Sequence, residues 1–257
     1  MAGTTRSTDP KDYQTVPRAI AAMAKSFVPG DTIPPHAHAR DQVLYATQGV
    51  MRVATVREAW IVPPDRAIYM PAGLEHGVAM RGSVEMRTLY IQPDAAPGLP
   101  ASPAVMDISN LLRALVLALL DEPVLYDEKG RGGLLAGLIL DELARAQHLQ
   151  LVIPMPRDER LKRLCKALLD DPARNETLDE WADEAGASPR TLSRLFSSEV
   201  GLSFTQWRQR VRFHNAMEAI VRGEPVGAVA RANGYESASA FTAAFRKTMG
   251  VTPGSLG

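Results

Sequence analysis

The 257-residue sequence predicts an α+β multidomain protein with three parts: a small β unit, a helical linker and an all-α C-terminal domain. Short apolar runs separated by Pro, Gly and Asp occupy residues 16–95, a pattern typical of an all-β sandwich or barrel. Helical periodicity follows over residues 104–150 and returns over residues 157–257. A chain of this length can bury two separate cores, so we expect one core in the β unit and one in the C-terminal domain.

Four runs in the first part have the length and composition of β-strands. They are Gln42–Ala46, Met51–Val56, Ala67–Met70 and Met86–Ile91. The Pro- and Ala-rich segment Pro93–Pro103 predicts a linker after the last of these strands.

Two amphipathic helices are predicted in the second part, over Ile108–Leu120 and Gly133–Gln147. Their leucine-rich faces need a partner surface. We expect that surface to be a second copy of the chain, which makes the protein a homodimer. Packing of these helices on the β unit is the alternative.

Capping chemistry marks the helices of the third part. Thr177 and Glu180 can form a capping box at a helix start, and Gly186 can supply the left-handed residue that ends that helix. Ser188–Pro189 is a good start for the next helix. Two helices joined by a short turn over about residues 177–200 have the helix-turn-helix layout, and a plain helical hairpin is the alternative.

The same pattern recurs over about residues 225–249. Pro225 begins a short helix that ends at Asn233–Gly234, and Ser237 caps the helix that follows. A long helix over residues 203–223 joins the two units. Two such units can occupy successive major grooves of double-stranded DNA, about 34 Å apart, so the repeat favours a DNA-binding domain.

The predicted DNA contacts begin on the second helix of the first unit, whose outward N-terminal residues meet base edges in this motif. Arginine can donate two hydrogen bonds to guanine there. The candidates are Arg190, Thr191, Ser193 and Arg194. Along the joining helix, Arg208, Arg210 and Arg212 are candidates for phosphate contacts.

Charge distribution agrees with this interpretation, although the formal net charge of the chain is zero. Arg190–Lys247 carries nine basic and four acidic residues, whereas Arg157–Ala187 carries six basic and nine acidic ones. A local excess of cations is expected of a phosphate-binding surface. A solvated surface of mixed charge is the alternative that charge alone leaves open.

The C-terminal residues from Arg157 to Leu256 resemble the DNA-binding domain of the AraC/XylS family of transcription regulators. The resemblance rests on Leu178–Ala182, Ser188–Phe196, Val229–Ala230, Gly234–Ser237, Phe241, Phe245–Lys247 and Gly250–Pro253. It implies base contacts from Arg190, Ser193 and Arg194. In the second helix-turn-helix unit it implies base contacts from Ala238, Ser239 and Thr242. Ser237 and Arg246 are further candidates for contacts with DNA.

The second recognition helix departs from the family pattern. Ala243 stands where family members often carry a long polar side chain, and Ala238 and Ala240 are also short. We therefore expect this helix to contact phosphates and thymine methyl groups, and the first helix to supply most of the sequence readout.

Histidines cluster in the β unit. His36 and His38 are two residues apart, so on a strand their side chains share one face, and His76 on a neighbouring strand can complete a metal site. The spacing resembles the two motifs of the cupin barrel. Gly30, His36, His38, Gln42 and Gly49 match the first motif, with Gln42 in place of its acidic ligand; Pro71, Gly73 and His76 match the second, with Asp65 and Met80 departing from it.

The cupin resemblance implies a small barrel with an internal pocket over about residues 25–92. His36, His38, His76 and the neutral amide of Gln42 are candidate ligands for one divalent transition metal, either Zn, Ni or Fe(II). Histidines that bind an organic ligand or each other are the alternative. His148 and His214 are expected to be ordinary residues on helix surfaces.

The sequence thus predicts a transcription regulator, not an enzyme, in which a small molecule or metal in the cupin pocket controls DNA binding. The alternative is a cupin-type metalloenzyme with an appended DNA-binding domain, against which Gln42 argues because many such enzymes depend on the acidic ligand.

A single cysteine, Cys165, suits a reducing compartment. Met1–Tyr13 has no apolar signal core, and Leu111–Leu120 is too short to cross a bilayer. We expect a cytoplasmic protein with no membrane partner.

Overall fold

The structure is a computed structural model that describes residues 6–64, 66–149, 152–250 and 252–255. Asp65 of the second cupin motif and Val251 lie outside the described residues. The chain forms two compact units. The first comprises Met1–Val53 and Val62–Gln150, and the second comprises Ala54–Ile61 and Leu151–Gly257.

Strands dominate the first half of the chain. They are β1 (Ile20–Phe27), β2 (Thr32–His36), β3 (Asp41–Ala54), β4 (Glu58–Val62), β5 (Arg66–Met70), β6 (His76–Ile91), β7 (Ala104–Asp107), β8 (His148–Leu149) and β9 (Val152–Pro154). The first two predicted strands are parts of the single strand β3, and the other two lie in β5 and β6.

The helices follow from residue 110 onward. They are α1 (Asn110–Asp121), α2 (Arg131–Arg145), α3 (Glu159–Asp170), α4 (Leu178–Ala185), α5 (Pro189–Leu195), α6 (Phe204–Val221), α7 (Val226–Ala232) and α8 (Ala238–Met249). A short π-helix, Phe196–Val200, continues α5. No helix within the described ranges is long and apolar enough to span a membrane.

The first unit is built on a sheet with the strand order β1–β6–β3–β5–β7–β8, and β2 also pairs with β6. The long strand β6 is antiparallel to β1 from Ile20↔Ile91 to Phe27↔Val84, and its N-terminal end is antiparallel to β2. Gly49 allows a close approach inside this sheet. Its φ is +80°, and a Cβ there would lie 2.1 Å from the carbonyl oxygen of Ser83.

Helices α1 and α2 pack on this sheet, which corrects the prediction of a separate linker over residues 104–150. Leu112, Leu115 and Leu119 of α1 share one core with Ile139 and Leu143 of α2, and the same core includes residues of β1, β3, β5, β6 and β7. The ends of the predicted linker, β7 and β8, are strands of the sheet itself. The apolar faces of the two helices are thus partly covered within one chain.

The second unit is helical apart from the antiparallel pair β4–β9, in which Trp60 lies opposite Val152. The predicted caps are confirmed. Thr177 and Glu180 form a capping box, Ser188 caps α5, and Gly186 has the left-handed φ of +63° that ends α4. Ser237 caps α8 in the same way.

Each helix-turn-helix unit has an aromatic core, and α6 contributes to both. In the first helix-turn-helix unit, Phe196 contacts both Phe204 and Trp207. The indole Nε1 of Trp207 donates to the carbonyl of Pro154 at 2.8 Å. In the second helix-turn-helix unit, Phe213 of α6 contacts Phe241 and Phe245 of α8. Helix α6 is therefore the common support of both units.

The predicted surface positions of two histidines need correction. His214 lies in the middle of α6 and is only 1% exposed, so it is not a surface residue. His148 is exposed, but it lies on strand β8 and not on a helix.

Candidate metal centre and nucleic-acid interface

Three histidines meet where β2 and β6 pair. His36 is the last residue of β2 and lies opposite His76, the first residue of β6, after a shift in strand register. His38 follows in the loop after β2 and not on the strand, which corrects the predicted reason for its orientation. One nitrogen from each ring lies within 4.8 Å of the other two. The predicted three-histidine cluster is therefore present.

Backbone carbonyls fix the orientation of two of these rings. His36 Nδ1 lies 2.8 Å from the carbonyl of Pro34, and His76 Nδ1 lies 3.0 Å from the carbonyl of Leu74. A carbonyl can only accept, so in both rings Nδ1 carries the proton and Nε2 presents its lone pair. Metal-ligating histidines characteristically donate their other ring N–H in this way.

Burial disfavours the charged form of two of the three rings, His38 and His76. It lowers the pKa of His38 to about 4, and the neighbouring His36 and His76 rings add to this effect. Burial also lowers the pKa of His76, against the opposing effect of its hydrogen bond to Leu74. His76 Nε2 is buried and has no hydrogen-bond partner among the described residues. Neutral rings with a buried, unpartnered lone pair fit a metal ion, which binds unprotonated imidazole.

Gln42 and Tyr90 lie beside the cluster. The Gln42 side-chain Nε2 is 3.5 Å from the Tyr90 hydroxyl, and the Tyr90 ring packs edge-on against His38 with centroids 5.1 Å apart. The Gln42 Oε1 atom is buried without a partner in the described part of the chain. The sequence analysis missed Tyr90. The available signal was period-two alternation along β6, which places residue 90 on the same face as His76.

The loop that carries His38 is anchored to the second motif. The amide of Gly73 donates to the carbonyl of His38 at 2.8 Å, and the amide of Ala72 donates to the Asp41 carboxylate at 2.8 Å. Arg40 is buried, and its guanidinium donates to the carbonyls of Gln14, Val16, Arg18 and Tyr90. These bonds hold the histidine loop in place from both sides.

Helix α5 presents the first set of predicted DNA contacts. Arg190, Ser193 and Arg194 are exposed, and neither arginine side chain hydrogen-bonds or pairs with any residue that the structure describes. Thr191 is half-buried, and its hydroxyl lies 2.9 Å from that of Ser188, so it serves the helix cap. Arg190 and Arg194 are therefore available to a partner.

Helix α8 presents the second set. Ser237, Ala238, Ser239 and Arg246 are exposed, whereas Thr242 is half-buried. The Ser237 hydroxyl caps the amide of Ala240 and lies 3.0 Å from the Ser239 hydroxyl. The N-terminal end of this helix therefore offers short side chains only.

The three arginines of α6 are already engaged within the second unit. Arg208 donates to the carbonyls of Asn175 and Glu176, and its guanidinium lies 4.9 Å from the centroid of the Phe204 ring. Arg210 donates to the carbonyl of Val152. Arg212 donates to the carbonyls of Pro172 and Arg174 and to the Asn175 side chain. Their first role is to hold α6 against neighbouring segments, which the sequence analysis did not predict.

Comparison with known proteins identifies both domains. A helix-turn-helix domain family matches residues 181–256, and a cupin domain family matches residues 25–92. The HTH-type transcriptional regulator NimR of Escherichia coli K12 is 32% identical over 223 residues, which cover 87% of this chain and 81% of NimR.

Two further relatives match a smaller part of the chain. The HTH-type transcriptional regulator RipA of Corynebacterium glutamicum is 33% identical over 100 residues, 39% of this chain and 30% of RipA. The arabinose operon regulatory protein of Escherichia coli is 28% identical over 124 residues, 47% of this chain and 42% of that protein.

A cupin domain followed by two helix-turn-helix units defines a one-component transcription regulator that binds DNA. The chain belongs to the AraC/XylS family of these regulators. The resemblance predicted from the sequence is thereby confirmed, as are the fold class and the general function.

Proposed function

We propose that the cupin domain binds one divalent transition metal through His36, His38 and His76, and that this site controls DNA binding by the C-terminal domain. The observation that carries the proposal is the common arrangement of His36 and His76. Both rings give their Nδ1 proton to a backbone carbonyl and direct Nε2 to the same place.

The donor set suits Zn, Ni or Fe(II), for which imidazole is a common ligand. When bound, the metal would supply positive charge and open coordination positions to a small-molecule effector with an oxygen donor. Gln42 Oε1 is a neutral fourth donor without a partner among the described residues. Tyr90 positions Gln42 from the other side, through its hydroxyl.

We propose a regulatory and not an enzymatic role for this site. Within the described ranges, the groups that cluster there are the three histidines, with Tyr90 beside them and no Asp, Glu or Cys in the cluster. A general base that works beside a metal is most often a carboxylate or a free imidazole, and all three imidazoles are used as ligands in this proposal.

The DNA contacts that we propose differ in kind between the two helix-turn-helix units. Arg190 and Arg194 are exposed cations on α5 without partners in the described part of the chain, so they can reach guanine edges, with Ser193 between them. Ser237, Ala238, Ser239, Thr242 and Arg246 of α8 then supply phosphate and methyl contacts. A chromosomal DNA partner would place the protein in the cytoplasm.

We also propose that the protein is a homodimer through the outer face of α1 and α2. Four leucines remain exposed there although the inner faces are buried: Leu111, Leu117, Leu134 and Leu138, the third of them 71% exposed. Ala114 and Gly137 lie among them and are also exposed, so another helix could approach closely. An apolar helical face of this kind is typical of a subunit interface.

The metal proposal is tested by elemental mass spectrometry of the purified full-length protein after reconstitution with Zn, Ni and Fe(II) in turn. We expect about one metal per chain in the wild type and loss of that metal in a His36→Ala/His76→Ala variant. His148→Ala is the matched control, because His148 is an exposed histidine outside the cluster. Metal-free wild-type protein after all three reconstitutions would overturn the proposal and favour an organic ligand.

A further inference from the structure

A cleft of about 460 Å³ opens beside α6, where α6 meets the second helix-turn-helix unit, and it lies entirely within the second compact unit of the chain. Its walls come from three separate places in the sequence. They are the segment between α3 and α4, the middle of α6, and the end of α7 with the turn that follows it. The polar side chains that line the cleft are Asn175, Arg212, Asn215, Arg231 and Asn233.

The described charged residues that line this cleft are all cations. Arg212 and Arg231 both line it, and no Asp or Glu is found among its described lining residues. Arg212 is half-buried and bonds only to neutral partners, through Nε and Nη2. Burial, and secondarily the nearby Arg208 cation, lower the pKa of Arg212, as expected of a cation that lacks a counter-charge.

Several donors remain free to bind a ligand. Arg212 Nη1 and the whole guanidinium of Arg231 form no hydrogen bond to any residue that the structure describes. Asn215 is exposed on α6, one turn after Arg212, and its amide is likewise unbonded within the described ranges. Two guanidinium groups and an amide that converge without an acid match the oxygens of a phosphate group.

We propose that this cleft binds a phosphate group, and that the phosphate belongs to the DNA backbone between the two major grooves read by α5 and α8. The position supports this source, because the cleft is formed by α6, which joins the two helix-turn-helix units, and by the end of α7 in the second of them. The proposal rests on the DNA-binding function and extends it to Arg231 and Asn215, which the sequence analysis did not select. A free phosphate ester has the same chemistry and is the other possible source.

The first experiment measures the affinity of the full-length protein for a random-sequence DNA duplex over a range of salt concentrations. Each phosphate that a cation neutralises contributes about 0.9 to the slope of log K against log salt. We expect Arg231→Gln to reduce that slope by about one. Arg222→Gln is the matched control, since Arg222 is exposed near the end of α6, lies outside the cleft and pairs with Glu218 and Glu224.

The second experiment titrates inorganic phosphate into the protein without DNA and follows the backbone amide signal of Gly234 by NMR. A slope reduced by Arg231→Gln but not by Arg222→Gln supports the DNA backbone as the source. An unchanged slope, with saturable phosphate binding that Arg231→Gln abolishes, supports a phosphate site for a free ester.

An unchanged slope together with no phosphate binding would overturn the proposal. If the wild type failed to bind any duplex, the DNA-binding function itself would be in error, and the phosphate titration would still judge the cleft separately.

Discussion

The Nε2 atoms of His36 and His38 lie 3.1 Å apart, within hydrogen-bond distance. Because His36 gives its Nδ1 proton to Pro34, its Nε2 accepts, and the proton between the rings belongs to His38. Metal binding must remove that proton from Nε2 of His38. The cluster is thus preorganised at two rings, and the third needs only a change of tautomer.

Restoring a carboxylate at residue 42 should strengthen metal binding. In Gln42→Glu, a buried negative charge beside the cluster would be costly without metal and favourable with it. We expect the metal-free variant to unfold at a lower temperature than the wild type, and added metal to raise its Tm by more than it raises that of the wild type. Thermal unfolding with and without metal measures both, and an equal rise in the two proteins would exclude residue 42 from the site.

The histidine cluster could be predicted from the sequence through the motif spacing that it shares with the cupin barrel. The His36, His38, Gln42 and His76 set follows from motif spacing, because the strand pair β2–β6 brings the ends of the two motifs together. Tyr90 was not selected, since it is fourteen residues after His76 and only the last part of β6, Met86–Ile91, was predicted as a strand. The packing of α1 and α2 on the sheet was also undecided, because an apolar helix face does not reveal what covers it.

Helix boundaries in the second unit were more predictable than the roles of its charged residues. Thr177, Ser188 and Ser237 cap helices through local hydrogen bonds, which spacing in the sequence fixes. The bonds of Arg208 and Arg212 reach segments more than 30 residues away, so no local pattern could show them. The burial of His214 likewise depends on tertiary packing around α6, which local sequence does not show.

Arg194 should carry sequence readout. Arg194→Ala removes an exposed guanidinium from the recognition helix and should cost about 1–3 kcal/mol of specific binding if that group is bidentate to guanine. Competition binding with duplexes that differ by single base pairs measures the effect, with Arg222→Ala as the control for lost positive charge. An unchanged preference among the duplexes would remove Arg194 from the readout.

Because of His214, acid should lower the free energy of unfolding of the second compact unit, which contains α3 to α8. Burial, with a smaller contribution from Arg210, lowers the pKa of His214 to about 3. In the unfolded chain its pKa is about 6.5, so between pH 6.5 and pH 3 only the unfolded state gains the proton. Above pH 6.5 the His214 side chain therefore does not lower the free energy of unfolding. Between pH 6.5 and pH 3 that free energy falls by about 1.4 kcal/mol for each unit by which the pH decreases.

His214→Leu should remove this one-proton slope. All three tryptophans, Trp60, Trp181 and Trp207, lie in the second unit, so denaturant unfolding followed by tryptophan fluorescence reports on that unit. The same pH dependence of the free energy of unfolding in wild type and variant would show that His214 is protonated in the folded protein.

The leucine face of α1 and α2 should hold two chains together. Leu134→Glu/Leu138→Glu places charges at positions that are 71% and 50% exposed, so the fold of each chain is expected to remain. We expect a dimer-to-monomer change in analytical ultracentrifugation. Val28→Glu is the control, since Val28 is an exposed apolar residue elsewhere in the first unit. Dimers that persist in the double variant would place the interface elsewhere.

The most direct test of the central claim compares DNA affinity in the metal-loaded and chelated states. The duplex is one that the protein itself selects from a random pool, and the proteins are wild type and His36→Ala/His76→Ala. Coupling between sites is typically 1–3 kcal/mol, so we expect removal of metal to change the wild-type affinity by about 5–150-fold and to leave the variant unchanged. Equal affinity of the loaded and chelated wild type would contradict control of DNA binding by the histidine cluster.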